Sequence, residues 1–312
     1  YSYVTTDKPI SNMKKTKVLI QIFPMVKEID YLERTMLLLK QSSLYVDKSK
    51  YHLILDVTLP TSDYLVDWEK SVLKKDYFIN RLGNLEKYYL GWCDEYRIST
   101  DDNVKGLLDW YTQTVDRYDD VDDIIIIEPD VVFGPYTLSL YLESSLQAKT
   151  QSSNYIITAE YVKMWDSSWD AVVNSTYLNQ PFNFRNTNDA VEDTYHLKND
   201  GDISLKPLMI GSQKYFKFGG GWFTMYSKAL LDTINFPKEL EGYGGFDNYV
   251  MNFCYNRPDL VTQYKIENLV ITDKHNHTQC YDHYVESIDR KQDLYEKNNT
   301  IVTNHFRSVF GF

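Results

Sequence analysis

The feature that most constrains the fold is a run of four isoleucines, Ile124 to Ile127, between two acidic segments. A strand this uniformly apolar is expected to be buried on both faces, as in the middle of a parallel sheet. It follows the acidic run Asp119 to Asp123, which we expect to be a solvated turn, and it leads into Glu128-Pro129-Asp130. Open α/β sheets bind ligands at the carboxyl ends of such strands. The sequence therefore predicts an α/β fold with carboxylates at its binding edge.

Apolar runs and amphipathic stretches nearer the start of the chain have the order of a βαβ unit. Strands are predicted at Lys17 to Phe23 and at Tyr51 to Val57, with a helix from Glu28 to about Leu44 between them. Such a unit makes two parallel strands joined by a right-handed crossover. A further helix is predicted from Asp102 to Tyr118, with Asp101 or Asp102 as its N-cap.

The second half of the chain is less regular. Residues 161–212 are mostly polar and show little apolar periodicity, which is typical either of functional loops or of poorly ordered segments. Beyond them, helices are predicted from Phe246 to about Tyr255 and near His283 to Glu296, and a strand from Ile266 to Thr272. We predict a single domain over residues 1–312, with a regular half at 14–160 and an irregular half at 161–312.

Charge and composition exclude some classes of protein. The 312 residues include 33 Lys and Arg against 44 Asp and Glu, and the net charge of −11 argues against a general binder of nucleic-acid backbones. No run approaches the roughly 20 apolar residues of a transmembrane helix. The three cysteines are widely spaced and fit reduced thiols in a cytoplasmic protein. Because the chain begins at Tyr1, it is open whether a signal or anchor was removed, or whether the chain is excised from a longer one or encoded by a virus.

The acidic pair Glu128 and Asp130 is the main candidate for chemistry. Mg²⁺ and Mn²⁺ prefer oxygen ligands and bind phosphates together with one or two carboxylates, so the pair suits a metal–diphosphate site. The alternative is an ordinary solvated strand end, which on this triplet alone is equally favoured. Proline between the two acids fixes part of the backbone that joins them.

The order of Lys17 to Phe23, Asp56, the segment from Asp102 to Gly106, and the strand ending in Glu128-Pro129-Asp130 resembles that of nucleotide-sugar glycosyltransferases of the GT-A fold. The resemblance extends in layout from about Lys17 to His277, and its motifs are short. It implies a GT-A-like α/β domain with a mostly parallel central sheet flanked by helices. Residues 14–160 would then be a Rossmann-like half that binds the nucleotide sugar, and 161–312 the acceptor-binding and catalytic half.

The resemblance also implies roles for individual residues in donor binding. Asp130 would bind the metal and the diphosphate, with Glu128 standing where relatives have the first aspartate of a DxD motif. The donor would be a UDP- or GDP-sugar. The looser candidates for contacts to its nucleoside or sugar are Asp56, Asn103 and Gly106. A late histidine often completes the metal site in the family, and His275 and His277 are the candidates here, with a slight preference for His275.

Glycine-rich and aromatic segments are candidates for the acceptor side. Gly220 and Gly221 give the backbone room for a close ligand, and Trp222 offers a flat ring for a sugar. Trp165 and Asp166 belong to a Trp-Asp pair repeated four residues later, which would stack on one face of a helix. Turn geometry alone is the less favoured explanation of the first segment, whereas an ordinary buried face is at least as favoured for the second.

Asp247, at the start of the predicted helix from Phe246, matches the place of the catalytic acid in the family. An inverting transfer needs a general base for the acceptor hydroxyl, and a carboxylate within hydrogen-bond reach is sufficient. The competing interpretation is that Asp247 is only the N-cap of the helix.

The sequence thus predicts a metal-dependent glycosyltransferase that moves a hexosyl or pentosyl group to a hydroxyl, most simply on a glycan. One alternative is a carbohydrate- or protein-binding module without activity, which would use the 27 Tyr and 6 Trp alone. Another is a viral-type enzyme that glycosylates a modified DNA base. A nucleotidyltransferase is disfavoured, because Phe23 is followed by Pro-Met-Val-Lys without glycine.

Overall fold

The computed structural model describes residues 14–24, 28–62, 74–85, 91–104, 107–129, 131–163, 205–207, 209–210, 213–214, 223–240, 246–273, 296–298 and 300–310. No helix within these ranges is both long enough and apolar enough to cross a membrane. For some residues inside helices and strands, only the backbone is described.

The amino-terminal part of the chain, up to Ile127, builds four parallel strands in the order β3-β2-β1-β4. The strands are β1 (Thr16–Ile22), β2 (Tyr51–Pro60), β3 (Glu95–Asp101) and β4 (Asp123–Ile127). Helices α1 (Ile29–Ser42), α2 (Lys75–Asn84) and α3 (Leu107–Arg117) connect them. All five residues of β4 are buried, as was predicted for its four isoleucines.

The handedness of the crossovers decides which face each helix covers. Two connections move the chain from β1 outward to β2 and β3, and the third returns it to the other side of β1. Because parallel connections are right-handed, the returning helix must lie on the opposite face of the sheet. The side chains of α1 and α2 accordingly join one apolar cluster, and those of α3 join a second.

The chain after β4 extends the same sheet. Its elements are β5 (Val131–Val132), α4 (Thr137–Lys149), β6 (Tyr155–Lys163), β7 (Leu205–Pro207), β8 (Met209–Ile210), β9 (Gln213–Lys214), β10 (Phe223–Ser227), α5 (Lys228–Thr233), α6 (Phe246–Asn256) and β11 (Thr262–Asp273). Strand β10 is antiparallel to both β4 and β6, which restores the direction of β4 in β6 and β11. Strands β5 and β7 pair antiparallel with β11. The predicted α/β class, with a mostly parallel sheet between helices, is confirmed.

Two apolar layers hold the helices to the sheet. Helix α1 places four fully buried side chains at helical spacing against one face, where α2 and α4 also pack: Ile29, Leu32, Met36 and Leu39. On the other face α3, α5 and α6 are joined by the C-terminal helical segment, residues 296–298 and 300–310. Phe306 of that segment stacks on Tyr249 at 4.8 Å between ring centroids. The sequence had suggested a tail helix near His283 to Glu296, and residues 283–295 of that prediction lie outside the described ranges.

Two sequence predictions about acidic residues were wrong. Asp123 is not part of a solvated turn: it opens β4, is fully buried, and its Oδ2 lies 2.9 Å from the Lys149 ammonium. Asp101 does not cap α3, because it is the last residue of β3. Asp102 does not cap it either, since its carboxylate accepts hydrogen bonds from Thr61 and Lys75.

The buried Asp123 makes Lys149 important for stability. Burial raises the pKa of Asp123, while Lys149 and the Tyr155 hydroxyl favour its ionised form. We expect Lys149→Met to lower the free energy of unfolding by about 3 kcal/mol at pH 7, because it leaves a buried carboxylate without its cation. The deficit should shrink as pH falls, since a raised pKa in the folded state lets Asp123 bind a proton and lose its charge. Urea denaturation at several pH values measures this.

Lys50→Met is the matched control. The Lys50 ammonium lies 3.2 Å from the Glu143 carboxylate, but both side chains are solvent-accessible. Exposed pairs of this kind contribute less than about 1 kcal/mol. Equal losses in the two variants, or a loss in Lys149→Met that does not change with pH, would contradict the role given to Asp123.

Candidate functional site at the carboxyl edge of β4

The sheet has a topological switch point between β1 and β4. From β1 the chain continues to β2 on one side, whereas from β4 it continues to β5, at the other end of the strand order. Loops that leave two such strands diverge and open a crevice at their carboxyl ends, where α/β sheets of this kind bind ligands. Phe23 and Pro24 follow β1 at this edge, and Glu128 follows β4, with Ile22 and Ile127 paired in register.

The acidic turn after β4 is anchored from two sides. Glu128 is half-buried and Pro129 is buried. The backbone N–H of Val131 points to the Glu128 carbonyl at 3.5 Å, and the hydroxyl of Thr35, on α1, donates to the Pro129 carbonyl. Asp130 itself lies outside the described residues. The turn that carries it is therefore tied to α1.

Strand β5 joins the acidic turn to the end of β11. Val131 pairs with Asp273 and Val132 with Thr272 in an antiparallel ladder. The chain that continues to His275 and His277 therefore leaves β11 beside the residue that follows Asp130. Both histidines lie outside the described residues, as does Asp130. Across the side chains that are described, no cluster of three His, Cys, Asp or Glu groups could hold a metal ion.

Strand β10 begins at the same edge. Phe223 pairs with Ile127, the last residue of β4, and its carbonyl accepts a hydrogen bond of 2.6 Å from the buried Tyr141 hydroxyl. The predicted acceptor segment immediately precedes this anchored strand end. Its members Gly220, Gly221 and Trp222 lie outside the described residues.

Strands β6 and β11 extend beyond this edge as a wall. The ladder of β10 with β6 places Phe223 level with about Ala159, and β6 continues for four more residues to Lys163. At ~3.3 Å per residue the wall rises about 13 Å above the end of β4. Lys163 pairs with Thr272, beside β5. Trp165 and Asp166 follow Lys163 and lie outside the described residues.

Helix α6 points its amino end toward the same edge. Strand β11 starts at the opposite edge, where the Thr262 N–H donates to the Asn154 carbonyl at 3.0 Å. The helix that leads into β11 must therefore run from the carboxyl edge toward the other. Its first residue, Phe246, stacks on Tyr111 of α3 at 3.9 Å between ring centroids. Asp247 is the second residue of α6, and only its backbone is described.

Asn103 lies in the loop after β3, at the carboxyl edge. Its side chain is exposed and its N–H donates to Asp101 Oδ1 at 2.8 Å. The same loop is fixed to the end of β2, because the Thr61 hydroxyl donates to the Asp102 carboxylate. Gly106 lies outside the described residues.

Asp56 differs from the other predicted site residues because it is fully buried within β2. Its Oδ1 accepts from the Thr58 hydroxyl at 2.8 Å, and its Oδ2 accepts from the Tyr118 hydroxyl at 2.9 Å and from the Arg117 guanidinium at 3.3 Å. Burial and the neighbouring Asp56 charge raise the pKa of Tyr118, so its hydroxyl stays a donor. These bonds tie β2 to α3 below the edge.

Sequence reasoning missed two polar residues near the switch point. Thr35 is one, and the other is Gln21 of β1, which is fully buried with neither amide atom bonded to a described group. The signal for Gln21 was present, since it is the one amide in an otherwise apolar strand. Nothing in the sequence marks Thr35, because its partner is 94 residues away.

The carboxyl edge of β4 thus borders most of the predicted site segments. The described chain reaches this edge at Glu128, Phe223, Lys163 and Asp273, and α6 begins toward it. A half-buried carboxylate there, with acidic and imidazole residues adjacent in the chain, is a donor set that suits Mn²⁺ or Mg²⁺.

No family model matches the sequence, and no curated protein matches it. Among solved structures, the chain is similar to S. aureus TarS in complex with UDP, with 12% identity, a TM-score of 0.40, and coverage of 85% of this chain and 62% of TarS. It is similar to GalNAc-T7 with UDP, GalNAc and Mn²⁺, with 8% identity, a TM-score of 0.45, and coverage of 84% and 44%. It is also similar to the inositol-1-phosphate CTP transferase from T. maritima, with 11% identity, a TM-score of 0.39, and coverage of 86% and 96%. The chain thus spans less than two thirds of the TarS and GalNAc-T7 structures.

Proposed function

We propose that the chain is a metal-dependent glycosyltransferase, which moves a sugar from a nucleotide-sugar donor to a hydroxyl of an acceptor. The observation that carries the proposal is the pairing of Val131 with Asp273. It brings the chain that follows Asp130 beside the chain that precedes His275 and His277. A metal–diphosphate site made from Asp130 and a late histidine needs these two segments, which are distant in the sequence, to lie close together.

Asp130, with Glu128 and either His275 or His277, would hold Mn²⁺ or Mg²⁺ against the donor diphosphate. The ion would offset the negative charge that develops as the nucleoside diphosphate leaves. With a net charge of −11, the protein has a particular need for a cation between its carboxylates and an anionic donor. Asn103 and Gly106, in the loop after β3, are the proposed contacts to the nucleoside or sugar, whereas Asp56 is buried and its carboxylate is bonded to Thr58, Tyr118 and Arg117, so it is not retained as a contact.

Asp247 is the proposed general base of an inverting transfer. Its carboxylate would take the proton of the acceptor hydroxyl as that oxygen bonds to the anomeric carbon of the donor. The bond from the anomeric carbon to the diphosphate oxygen breaks in the same step, and the nucleoside diphosphate leaves with the electron pair. The direction of α6, whose amino end faces the carboxyl edge, supports this role.

Acceptor binding is assigned to the segments that border the crevice. Gly220, Gly221 and Trp222 directly precede β10, and Trp165 and Asp166 follow the wall formed by β6. A carbohydrate acceptor suits aromatic rings beside carboxylates, because the rings cover apolar sugar faces while the carboxylates bind hydroxyls.

A screen of nucleotide sugars for metal-dependent hydrolysis tests the proposal. UDP- and GDP-sugars are incubated with the protein and Mn²⁺, Mg²⁺ or EDTA, and release of the free sugar is measured. We expect slow hydrolysis of one donor with Mn²⁺ or Mg²⁺ and none with EDTA. Binding of a nucleotide sugar without hydrolysis, and without transfer to glycan or modified-base DNA acceptors, would favour a binding module. Release of pyrophosphate from a nucleoside triphosphate would favour a nucleotidyltransferase.

A further inference from the structure

Thr35 has an unusual hydrogen bond for a threonine inside a helix. Such hydroxyls commonly bond to the carbonyl one turn earlier in the same helix. The Thr35 hydroxyl instead crosses from α1 to the acidic turn and donates to the Pro129 carbonyl. Thr35 is 0% exposed, and three neighbours on the same helix, Leu32, Met36 and Leu39, are equally buried. The donor is therefore fixed on a rigid element.

The Pro129 carbonyl belongs to the peptide unit that continues into the nitrogen of Asp130. That unit is planar, so the direction of the carbonyl sets the direction in which the chain enters Asp130. The proline ring already restricts φ of Pro129 to about −65°, which leaves ψ as its one free backbone angle. A hydrogen bond to the Pro129 carbonyl restricts this remaining angle.

The described backbone contact inside the turn is weak. The contact from the Val131 N–H to the Glu128 carbonyl is 3.5 Å long, beyond the usual range of about 2.7–3.2 Å for a strong N–H···O bond. Strand β5 is only two residues long. We propose that Thr35 is the positioning residue of Asp130, which holds the acidic turn in the orientation that binds metal. The metal part of this inference rests on the proposed function.

Replacement of Thr35 by valine and by serine tests the role. Valine keeps the volume and removes the donor, whereas serine keeps the donor. We expect Thr35→Val to weaken the apparent Mn²⁺ affinity in donor hydrolysis by about tenfold, as for loss of one buried hydrogen bond, and Thr35→Ser to stay within about twofold of the parent. Thr114→Val is the control, because the buried Thr114 hydroxyl bonds within α3 to the Trp110 carbonyl at 3.0 Å.

Hydrogen exchange without metal separates this inference from the proposed function. We expect faster exchange at residues 128–132 in Thr35→Val, but not in Thr35→Ser or Thr114→Val. Unchanged exchange there overturns the positioning role, whether or not the protein binds metal. A lower melting temperature with unchanged Mn²⁺ affinity of the folded protein also overturns it. If the parent shows no metal-linked donor binding, the proposed function fails, and the exchange result alone decides the role of Thr35. Thr35→Ala serves in place of the valine variant if that variant does not fold.

Discussion

Replacing Asp130 by alanine is expected to reduce metal-dependent donor hydrolysis by about 10³-fold or more. A bound metal stabilises the leaving diphosphate by several kcal/mol, and each 1.36 kcal/mol corresponds to about one factor of ten in rate. Removal of its main carboxylate ligand should therefore abolish both hydrolysis and metal-linked binding of the donor. Steady-state hydrolysis and calorimetry with Mn²⁺ measure the two effects.

The control for this variant is Asp119→Ala. Asp119 is an exposed acid just before β4, at the edge of the sheet opposite to Asp130. Asp119→Ala changes the net charge by the same amount as Asp130→Ala but removes no proposed metal ligand. We therefore expect it to leave donor hydrolysis and donor binding unchanged. Similar losses in both variants would mean that net charge, rather than a ligand at the carboxyl edge, governs donor binding.

Asp247→Asn is expected to lower the rate of sugar transfer by about 10²- to 10⁴-fold, the usual contribution of a general base. Donor binding should not change, because the asparagine keeps the shape of the side chain and Asp247 is not one of the proposed metal ligands. Asp247 lies in the first turn of α6, where a carboxylate contributes about 0.3–1 kcal/mol through the helix dipole, so α6 should lose no more stability than that. Transfer kinetics, donor calorimetry and thermal denaturation together separate catalysis from binding and folding.

Glu239→Gln is the matched control for Asp247→Asn. It removes one exposed carboxylate shortly before α6, in the same part of the chain. Transfer at the parent rate is expected in the control. A full transfer rate in Asp247→Asn would exclude Asp247 as the base.

The central strands could be predicted because their environment is uniform. Ile124 to Ile127 are apolar throughout, Lys17 to Phe23 are apolar except for Lys17 and Gln21, and β1 and β4 are covered by helices on both faces. The pattern of apolar residues was sufficient to place them, since only a buried strand fits such runs. The position of the acidic turn at the carboxyl edge followed from the same argument.

Features that depend on contacts between distant residues could not be predicted. Asp102 has the sequence context of a helix cap, but Thr61 and Lys75 bond its carboxylate instead. Asp123 ends a run of acids that suggests solvent, yet Lys149 and Tyr155 surround it in the core. Local propensity cannot anticipate such partners, because they lie tens of residues away.

The pairing of β5 with β11 is another contact between distant residues that the sequence could not predict. The sequence suggested Asp130 and a late histidine as ligands only through a family resemblance. The pairing of Val131 with Asp273 now gives a physical reason why these segments lie close together. A two-residue strand has no periodicity, so no sequence pattern could have indicated it.

Calorimetric titration with UDP- and GDP-sugars, in the presence of Mn²⁺ and again in EDTA, tests the central claim most directly. The proposed site at the carboxyl edge of β4 binds a diphosphate through a divalent ion. We therefore expect one donor to bind with Mn²⁺ and its affinity to be lost in EDTA. Equal affinity in both conditions, or no binding of any nucleotide sugar with Mn²⁺, would contradict the claim.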